Sequence, residues 1–244
     1  MDASFFENRY CEIEYKLKKL EKFFNCKDLR NKKIIDVGCW WGWFIRFARE
    51  RGATVEGFDY AEKNIEDAKK LLKNDELIFQ GDANNINKNN DEYDIVFCSH
   101  VIEHLEKEEL FLKEAYRILK QNGEFWIIVP NDNSFSVFFY KWCRMILNGC
   151  EKYLKKIKRY YWLKSICYGD DSHFREYSKK KILKLLSKNQ FEVKKIISNG
   201  MDLPYPLKNR LSYKLKIFFD KHISRYTPGF FRAEWIIIAK KKLR

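Results

Sequence analysis

The stretch Lys33-Ile34-Ile35-Asp36-Val37-Gly38-Cys39-Trp40-Trp41-Gly42-Trp43-Phe44 decides the fold of this chain. Its first residues form a short, largely apolar run bounded by charge, which is typical of a buried parallel strand. The run breaks at Gly38, and residues 41–51 have a pattern that predicts a helix. A glycine turn between strand and helix leaves backbone N–H groups available to a ligand. The spacing G-x-x-x-G differs from the dinucleotide and P-loop motifs, so it indicates another kind of nucleotide site, with a purely structural turn as the alternative.

The composition suggests an anionic partner. A chain of 244 residues is long enough for one elaborated α/β domain, and its net charge of +14 is large. Nucleic acid, a phospholipid surface or a phosphorylated substrate would match that charge. A solvated, lysine-rich surface without any such partner is the alternative.

Cysteine usage and hydropathy predict a cytoplasmic protein. The seven cysteines are scattered and contain no C-x-x-C pair, which favours a reducing compartment. The start of the chain shows neither the basic nor the apolar region of a signal peptide. No apolar run approaches the length that spans a membrane.

Strands and helices alternate along the first half of the sequence. Apolar segments at residues 53–60, 77–83, 93–99 and 123–130 predict four further strands, and residues 62–73 and 107–120 predict helices. Strands that are apolar throughout predict a parallel sheet covered on both faces. Ligands of such sheets bind at the carboxyl ends of the strands.

Polar or glycine residues follow four of these strands at that edge. They are Gly38, Asp59, Asp82 and the pair Ser99–His100. Asp59 lies 23 residues after Asp36, close to the spacing at which α/β nucleotide folds place an acid that binds ribose. A helix cap is the alternative role for Asp59. The coincidence of four such positions favours a ligand site.

The rest of the chain departs from this alternation of strands and helices. Residues 132–172 are dense in aromatic and basic side chains, and we interpret them as a lid over the site. Residues 177–188 predict a helix, residues 191–197 and 234–239 predict two strands, and residues 207–224 predict a basic amphipathic insertion. The basic, aromatic segments could also contact a membrane surface or nucleic acid.

Together these residues resemble the class I S-adenosylmethionine-dependent methyltransferases, in the branch of ubiquinone-biosynthesis and related small-molecule enzymes. The resemblance covers residues 32–130, His173-Phe174-Arg175-Glu176-Tyr177-Ser178 and the last two strands. It implies a doubly wound, Rossmann-like α/β sheet of seven strands, mostly parallel with an antiparallel last strand, and an inserted helical lid. It also implies one domain over residues 1–244, with an N-terminal helix in 1–30, a cofactor core in 31–131 and the rest of the core in 173–244.

The same resemblance implies S-adenosylmethionine as cofactor and assigns its contacts. The glycine loop would lie under the methionine and ribose, Asp59 would bind the ribose hydroxyls, and Tyr60 would form a wall of the adenine slot. Asp82 and Ala83 would lie at the adenine amino group. The cofactor residues predicted in this way are Asp36, Gly38, Cys39, Gly42, Asp59, Tyr60, Asp82, Ala83 and Ser99.

One position departs from the family pattern. Relatives commonly have glycine in the middle of the loop, where this chain has Trp40. A side chain there removes the closest approach of the backbone to a ligand. The indole must therefore turn away from the cofactor or flank it.

His100, His104 and His173 are the candidate catalytic residues, because histidine alone titrates near neutral pH. Bracing the next helix is the alternative role for His104. The run from His100 to His104 formally matches an H-x-x-E-H zinc motif, but it begins at a strand end rather than on a helix. Some relatives look like they use a Glu-x-x-Glu-His motif for a divalent metal. His100 replaces the first glutamate here, so we predict no metal, with a divalent metal as the alternative.

The sequence therefore predicts an O- or N-methyltransferase that acts on a small-molecule or lipid-linked, anionic acceptor. Contact with an anionic membrane surface is compatible with that acceptor. The first alternative is an RNA methyltransferase, suggested by the net charge. The second is a non-catalytic binding protein that has lost its cofactor because of Trp40.

Overall fold

A computed structural model describes residues 18, 20–73, 76–131, 177–201 and 232–242. Within these ranges the chain alternates strands and helices up to Pro130 and then adds one helix and two long strands. A short 3₁₀ helix, Ile102–His104, follows the fourth strand. The other elements are β1 (Lys33–Val37), α1 (Trp43–Arg49), β2 (Thr54–Asp59), α2 (Glu62–Leu71), β3 (Ile78–Gln80), β4 (Tyr93–Ser99), α3 (Glu108–Ile118), β5 (Leu119–Pro130), α4 (Lys179–Lys188), β6 (Phe191–Met201) and β7 (Arg232–Lys241).

The described strands form one mixed sheet in the order β3-β2-β1-β4-β5-β7-β6. The first five strands are parallel to one another, and β1 pairs with both β2 and β4. β7 lies between β5 and β6 and is antiparallel to both. The strand order therefore reverses at β1 and β4, which is the point where open α/β sheets bind their ligands. The predicted fold class, a mostly parallel seven-stranded sheet with an antiparallel last strand, is confirmed.

Apolar side chains cover both faces of the sheet. On one face, Phe44 of α1 stacks on Phe97 of β4 with ring centroids 3.6 Å apart. Phe24, in a helical stretch at residues 20–24, stacks on Trp126 at 4.3 Å. The other face holds a second cluster that includes Phe111 of α3 and Phe125 of β5. The helix after the glycine turn is thus fixed to the sheet by a buried aromatic contact.

Several element boundaries differ from the prediction. Helix α1 begins at Trp43 rather than at residue 41, because Gly42 has a left-handed backbone with φ of 80°. β5 begins at Leu119 rather than at Gly123, because Leu119 is extended and pairs with Tyr93 before a register shift in the ladder. α3 consequently ends at Ile118. β6 and β7 are longer than predicted, since their mutual pairing extends to Met201 and Arg232.

Some predictions fall outside the described residues. These are the lid at 132–172, the basic insertion at 207–224 and most of the N-terminal helix. The division of the chain into one domain with these parts stays a prediction. None of the helices in the described ranges has both the length and the apolar character needed to cross a bilayer.

Candidate active site

A cavity of about 1280 Å³ opens at the carboxyl ends of β1, β2, β3 and β4. Sequence reasoning placed the candidate residues at this edge from the topology of parallel sheets, and most of them lie in the cavity wall. The predicted site residues that line it are Asp36, Gly38, Asp59, Tyr60, Asp82, Ala83, Ser99, His100 and His104.

Two predicted residues, Cys39 and Gly42, do not line the cavity, and a third is not among the described residues. Cys39 is buried beside the cavity, and desolvation raises the pKa of its thiol, so it is a packing residue with little thiolate character. Gly42 precedes α1, where a Cβ atom would lie 2.7 Å from Cδ1 of Leu72. Gly42 therefore lets α1 pack closely on the end of α2. His173 lies outside the described residues.

The glycine turn is held by backbone hydrogen bonds. The N–H groups of Gly38 and Cys39 both donate to the carbonyl oxygen of Phe58, each at 2.9 Å. Gly38 has φ of +70°, and a Cβ atom there would lie only 2.2 Å from Cγ2 of Val101. The turn after β4 thus packs directly against the turn after β1. Only glycine fits both the backbone conformation and the contact.

Asp59 fastens this loop to the end of β2. Its Oδ2 accepts a hydrogen bond from the backbone N–H of Trp40 at 3.0 Å. Its Oδ1 accepts from the N–H of Ala61 at 3.0 Å and from Nδ2 of Asn64 at 2.9 Å. The carboxylate, 9% exposed, therefore lies in the cavity wall with a fixed orientation.

The sequence of residues 35–127 matches the family described as methyltransferase domain. That segment runs from β1 into β5 and contains the glycine turn, Asp59 and the other strand ends of the cavity. Residues 35–127 are thus similar in sequence to a methyltransferase domain. The resemblance inferred from the glycine turn and the acidic strand ends is thereby confirmed.

Individual relatives agree with this assignment. The methyltransferase domain and its surroundings are 30% identical over 139 residues to a ubiquinone biosynthesis O-methyltransferase of Pelagibacter ubique, across 53% of this chain and 58% of that protein. A protein of the same name from Rickettsia canadensis is 31% identical over 113 residues, across 46% and 47% of the two chains. The chain thus matches only about half the length of these curated relatives.

The fold extends beyond the region of clear sequence similarity. A SAM-dependent methyltransferase of Archaeoglobus fulgidus superimposes with a TM-score of 0.61 over 98% of this chain and 100% of its own, at 18% identity. One from Mesorhizobium loti gives a TM-score of 0.56 over 87% and 92% of the two chains, at 16% identity. At these identities the likeness concerns the fold alone.

The cofactor of class I methyltransferases is S-adenosylmethionine, and the Asp59 carboxylate fits its ribose. A carboxylate offers about four lone-pair sites, and three are used by Trp40, Ala61 and Asn64. One site remains, and rotation of the Asn64 amide would release a second. Asn64 also lines the cavity but has no sequence signature that distinguishes it from an ordinary helix residue. Sequence reasoning therefore missed it.

The end of β3 offers acceptors that suit an adenine amino group. Oδ1 of Asp82 accepts from the N–H of Asn84 at 2.8 Å. Oδ1 of Asn84 is buried and has no hydrogen-bond partner among the described residues, although Asn84 lines the cavity. A buried acceptor without a partner is costly, so a ligand N–H at this point would be favourable. The side chain of Tyr60, which is 79% exposed, lies at the same end of the cavity.

Asp36 lies at the bottom of the cavity and is almost completely buried. Desolvation, with a further contribution from the charge of Asp59, raises the pKa of Asp36 well above its usual range. The approach of a cationic ligand would favour its ionised form. This is compatible with the ammonium and sulfonium charges of the cofactor.

Two histidines lie at the opposite end of the cavity, beyond Ser99. His104 lines the wall in the 3₁₀ helix, and His100 follows β4 with a left-handed φ of 56°. The two ring nitrogens of His100 contact Glu103 and Glu234 at 3.1 and 2.9 Å. Glu234 is 134 residues away in the chain, so sequence spacing gave no sign of it. Within the described ranges, no cluster of three or more His, Cys, Asp or Glu side chains could hold a metal ion.

Trp40 occupies the middle of the loop with φ of 48°, in the left-handed region that glycine adopts without cost. Its backbone therefore has a conformation that glycine adopts readily, and its N–H donates to Asp59. The indole is 39% exposed in the cavity wall, with its ring centroid 5.7 Å from that of Trp41. Trp40 thus contributes a side chain to the cavity wall while its backbone N–H is bound to Asp59.

We expect Trp40→Gly to change the free energy of unfolding by less than about 1 kcal/mol, because relief of left-handed strain offsets the greater chain entropy of glycine. The dissociation constant of S-adenosylhomocysteine should stay within about threefold, as measured by calorimetry. Trp40→Val is the matched control, since a β-branched residue adopts positive φ poorly and should disturb the N–H contact to Asp59. A tenfold change in affinity for Trp40→Gly would show that the indole itself contacts or obstructs the cofactor.

Proposed function

We propose that this chain is an S-adenosylmethionine-dependent methyltransferase that methylates an O or N atom of a small-molecule or lipid-linked, anionic acceptor. The observation that carries the proposal is the fixed Asp59 carboxylate beside the glycine turn. It lies in one cavity with the hydrogen-bond acceptors at the end of β3. The relatives named as ubiquinone biosynthesis O-methyltransferases support an oxygen atom as the acceptor.

In this proposal the chain acts mainly by orienting its ligands. The bound cofactor supplies a methyl group on a sulfonium, which transfers by in-line displacement, so alignment accounts for most of the rate. Asp59 holds the ribose, Asp82 and Asn84 accept hydrogen bonds from the adenine, and the Gly38 turn supports the methionine. Ser99 and the turn after β4 separate this half of the cavity from the acceptor half.

The acceptor half lies beside the 3₁₀ helix and the start of α3. Leu105 and Leu110 give it apolar surface, and Lys107 supplies a positive charge next to Glu106. Lys107 is the one Lys or Arg among the described residues that line the cavity. An acceptor with an apolar body and one anionic group suits this combination. The high positive charge of the chain also suits an anionic membrane surface that presents such an acceptor.

We expect S-adenosylhomocysteine at a hundred times its dissociation constant to stabilise the chain by about 2.7 kcal/mol, because it binds only the folded state. Thermal unfolding should show this as a rise of roughly 5–10 °C in the midpoint. NAD at the same concentration is the control ligand, and it should cause no rise because the loop lacks the dinucleotide motif.

The outcome separates the competing functions. Absence of any shift at millimolar S-adenosylhomocysteine would favour a non-catalytic binding protein. A shift justifies a screen of acceptors, beginning with carboxylated and phosphorylated phenols and amines, with the RNA alternative tested alongside. Tight binding to RNA that weakens steeply with salt would favour the RNA methyltransferase.

A further inference from the structure

His100 is held between two carboxylates at the edge of the cavity. Its Nδ1 lies 3.1 Å from Oε1 of Glu103 in the 3₁₀ helix, and its Nε2 lies 2.9 Å from Oε2 of Glu234 on β7. Oε1 of Glu234 in turn accepts a hydrogen bond from Nδ2 of Asn199 on β6, at 2.8 Å. The turn after β4, strand β7 and strand β6 thus meet in one hydrogen-bonded cluster around His100.

Both carboxylates are withdrawn from water. Glu103 is 0% exposed and Glu234 is 7% exposed. Oε2 of Glu103 has no hydrogen-bond partner within the described ranges, and the only ion pair found for Glu103 there is the contact with the ring of His100. A buried carboxylate is stable in its ionised form only beside a positive charge. The ring of His100, 3.1 Å from Glu103, is placed where it can supply that charge.

The hydrogen bonding of the ring leads to the same result. A neutral imidazole has one N–H donor and one nitrogen acceptor, so one of its nitrogens would point a lone pair at a carboxylate oxygen. An imidazolium has two N–H donors and matches both contacts. The 2.9 Å contact to Glu234 has the length of a charge-assisted hydrogen bond, and the 3.1 Å contact to Glu103 has the length of an ordinary N–H···O bond.

Other titratable groups near His100, Glu103 and Glu234 do not change this assignment of charges. Burial raises the pKa of Asp36 on β1 and of Cys98 on β4, which favours their neutral forms. Residues 125–130 of β5 contain no titratable side chain. Glu103 and Glu234 are therefore the anions that face His100 from the described elements.

We propose that Glu234 is a positioning residue that, together with Glu103, holds His100 as an imidazolium and fixes the turn after β4. In this state His100 has no lone pair with which to take a proton from the acceptor. The proposal deepens the proposed function and rests on it only where it concerns the acceptor. Among the described histidines, His104 also lines the cavity and could accept that proton instead.

The fixed turn connects the two halves of the cavity. His100 adopts a left-handed backbone conformation, and its N–H donates to the carbonyl oxygen of Ile128 at 3.0 Å. The next residue, Val101, packs against Gly38. Through this contact the Glu234–His100 pair supports the loop that would hold the cofactor. An acceptor methylated here is accordingly one that is already ionised, or that loses its proton to a group other than His100.

The test uses the full-length chain without cofactor, labelled with ¹⁵N-histidine. The sequence contains four histidines, and the His100→Asn variant identifies the His100 signals by their loss. At pH 7.5 we expect both ring nitrogens of His100 to have the chemical shifts of protonated nitrogens. A neutral ring in the unmodified chain would overturn the proposal, and this result needs no substitution at Glu234.

Glu234→Gln removes the carboxylate and keeps the shape of the side chain. We expect His100 to become predominantly neutral at the same pH and S-adenosylhomocysteine to bind about 3- to 30-fold more weakly. Glu192→Gln is the matched control, because Glu192 is exposed on the neighbouring strand β6 and pairs with Lys194. An imidazolium that persists unchanged in Glu234→Gln would overturn the role of Glu234.

Failure of this proposal can be distinguished from failure of the proposed function. The charge of His100 is measured without any ligand, whereas the proposed function depends on whether the unmodified chain binds S-adenosylhomocysteine. Asn199→Ala serves as a milder variant if Glu234→Gln does not fold. It removes the amide contact to Glu234 but leaves both carboxylates, so the imidazolium should persist, and its loss would contradict the proposal.

Discussion

Replacement of Asp59 by alanine is expected to weaken the binding of S-adenosylhomocysteine by roughly 100-fold or more, as measured by calorimetry. Hydrogen bonds to a charged group contribute about 1.5–3 kcal/mol each, and the ribose would donate two of them. The same change removes the anchor of the Trp40 and Ala61 N–H groups. The variant should therefore also lose about 2–3 kcal/mol of unfolding free energy.

Two comparisons separate these effects. Asp67→Ala removes an equal charge from the exposed side of α2, where Asp67 pairs with Lys63, and should leave the affinity unchanged. Unfolding in urea shows whether the Asp59 variant is folded at the temperature of the binding experiment. An Asp59→Ala chain that is folded and binds within threefold of the unmodified chain would mean that Asp59 serves only to anchor the loop.

Gly38→Ala should be the most damaging small substitution in the loop, with a loss of about 2–5 kcal/mol of unfolding free energy in urea denaturation. The left-handed backbone, with φ of +70°, costs about 1–2 kcal/mol for alanine. The new Cβ atom would also lie 2.2 Å from Val101 in a packed site, and overpacking typically costs about 1–3 kcal/mol. Binding of S-adenosylhomocysteine should be lost as well, because both turns must move.

A double-mutant cycle with Val101→Ala separates the steric cost from the backbone cost. The second substitution removes the atom that the new Cβ atom would meet, so it should restore about 1–3 kcal/mol to Gly38→Ala. The backbone cost should remain in the double variant. A Gly38→Ala chain that loses less than about 0.5 kcal/mol would contradict the close packing of the two turns.

The parallel core could be predicted from the sequence because its signals are local. β4 was placed at residues 93–99, as observed, since an apolar run lies between acidic residues and a polar strand end. The helix predicted at residues 177–188 is observed from Lys179 to Lys188, and the side chain of Ser178 caps it by accepting a hydrogen bond from the N–H of Lys181. The parallel α/β core followed from the alternation of such elements, whereas the seven strands and the antiparallel last strand followed from the resemblance to the methyltransferases.

The features that the sequence did not reveal depend on contacts between distant residues. β5 begins at Leu119 because that residue finds a partner in Tyr93, which no local pattern encodes. Glu234 was predicted only as the start of a strand, and its contact with His100 requires β7 to lie next to β5. Asn84 resembled an ordinary turn residue, and only the structure shows its buried oxygen without a partner among the described residues. The proposed contacts of the cofactor residues likewise stay predictions.

The position of β7 has a consequence for synthesis on the ribosome. β7 is the last of the described strands to be translated, yet it lies inside the sheet and joins β6 to β5. A nascent chain that has not yet reached residue 232 has β5 as an open edge and lacks Glu234 beside His100. The parallel part of the sheet can form while translation continues, but the end of the cavity at His100 is completed only after β7 has emerged. Chaperones that cover exposed strand edges should therefore contact the chain mainly during this interval.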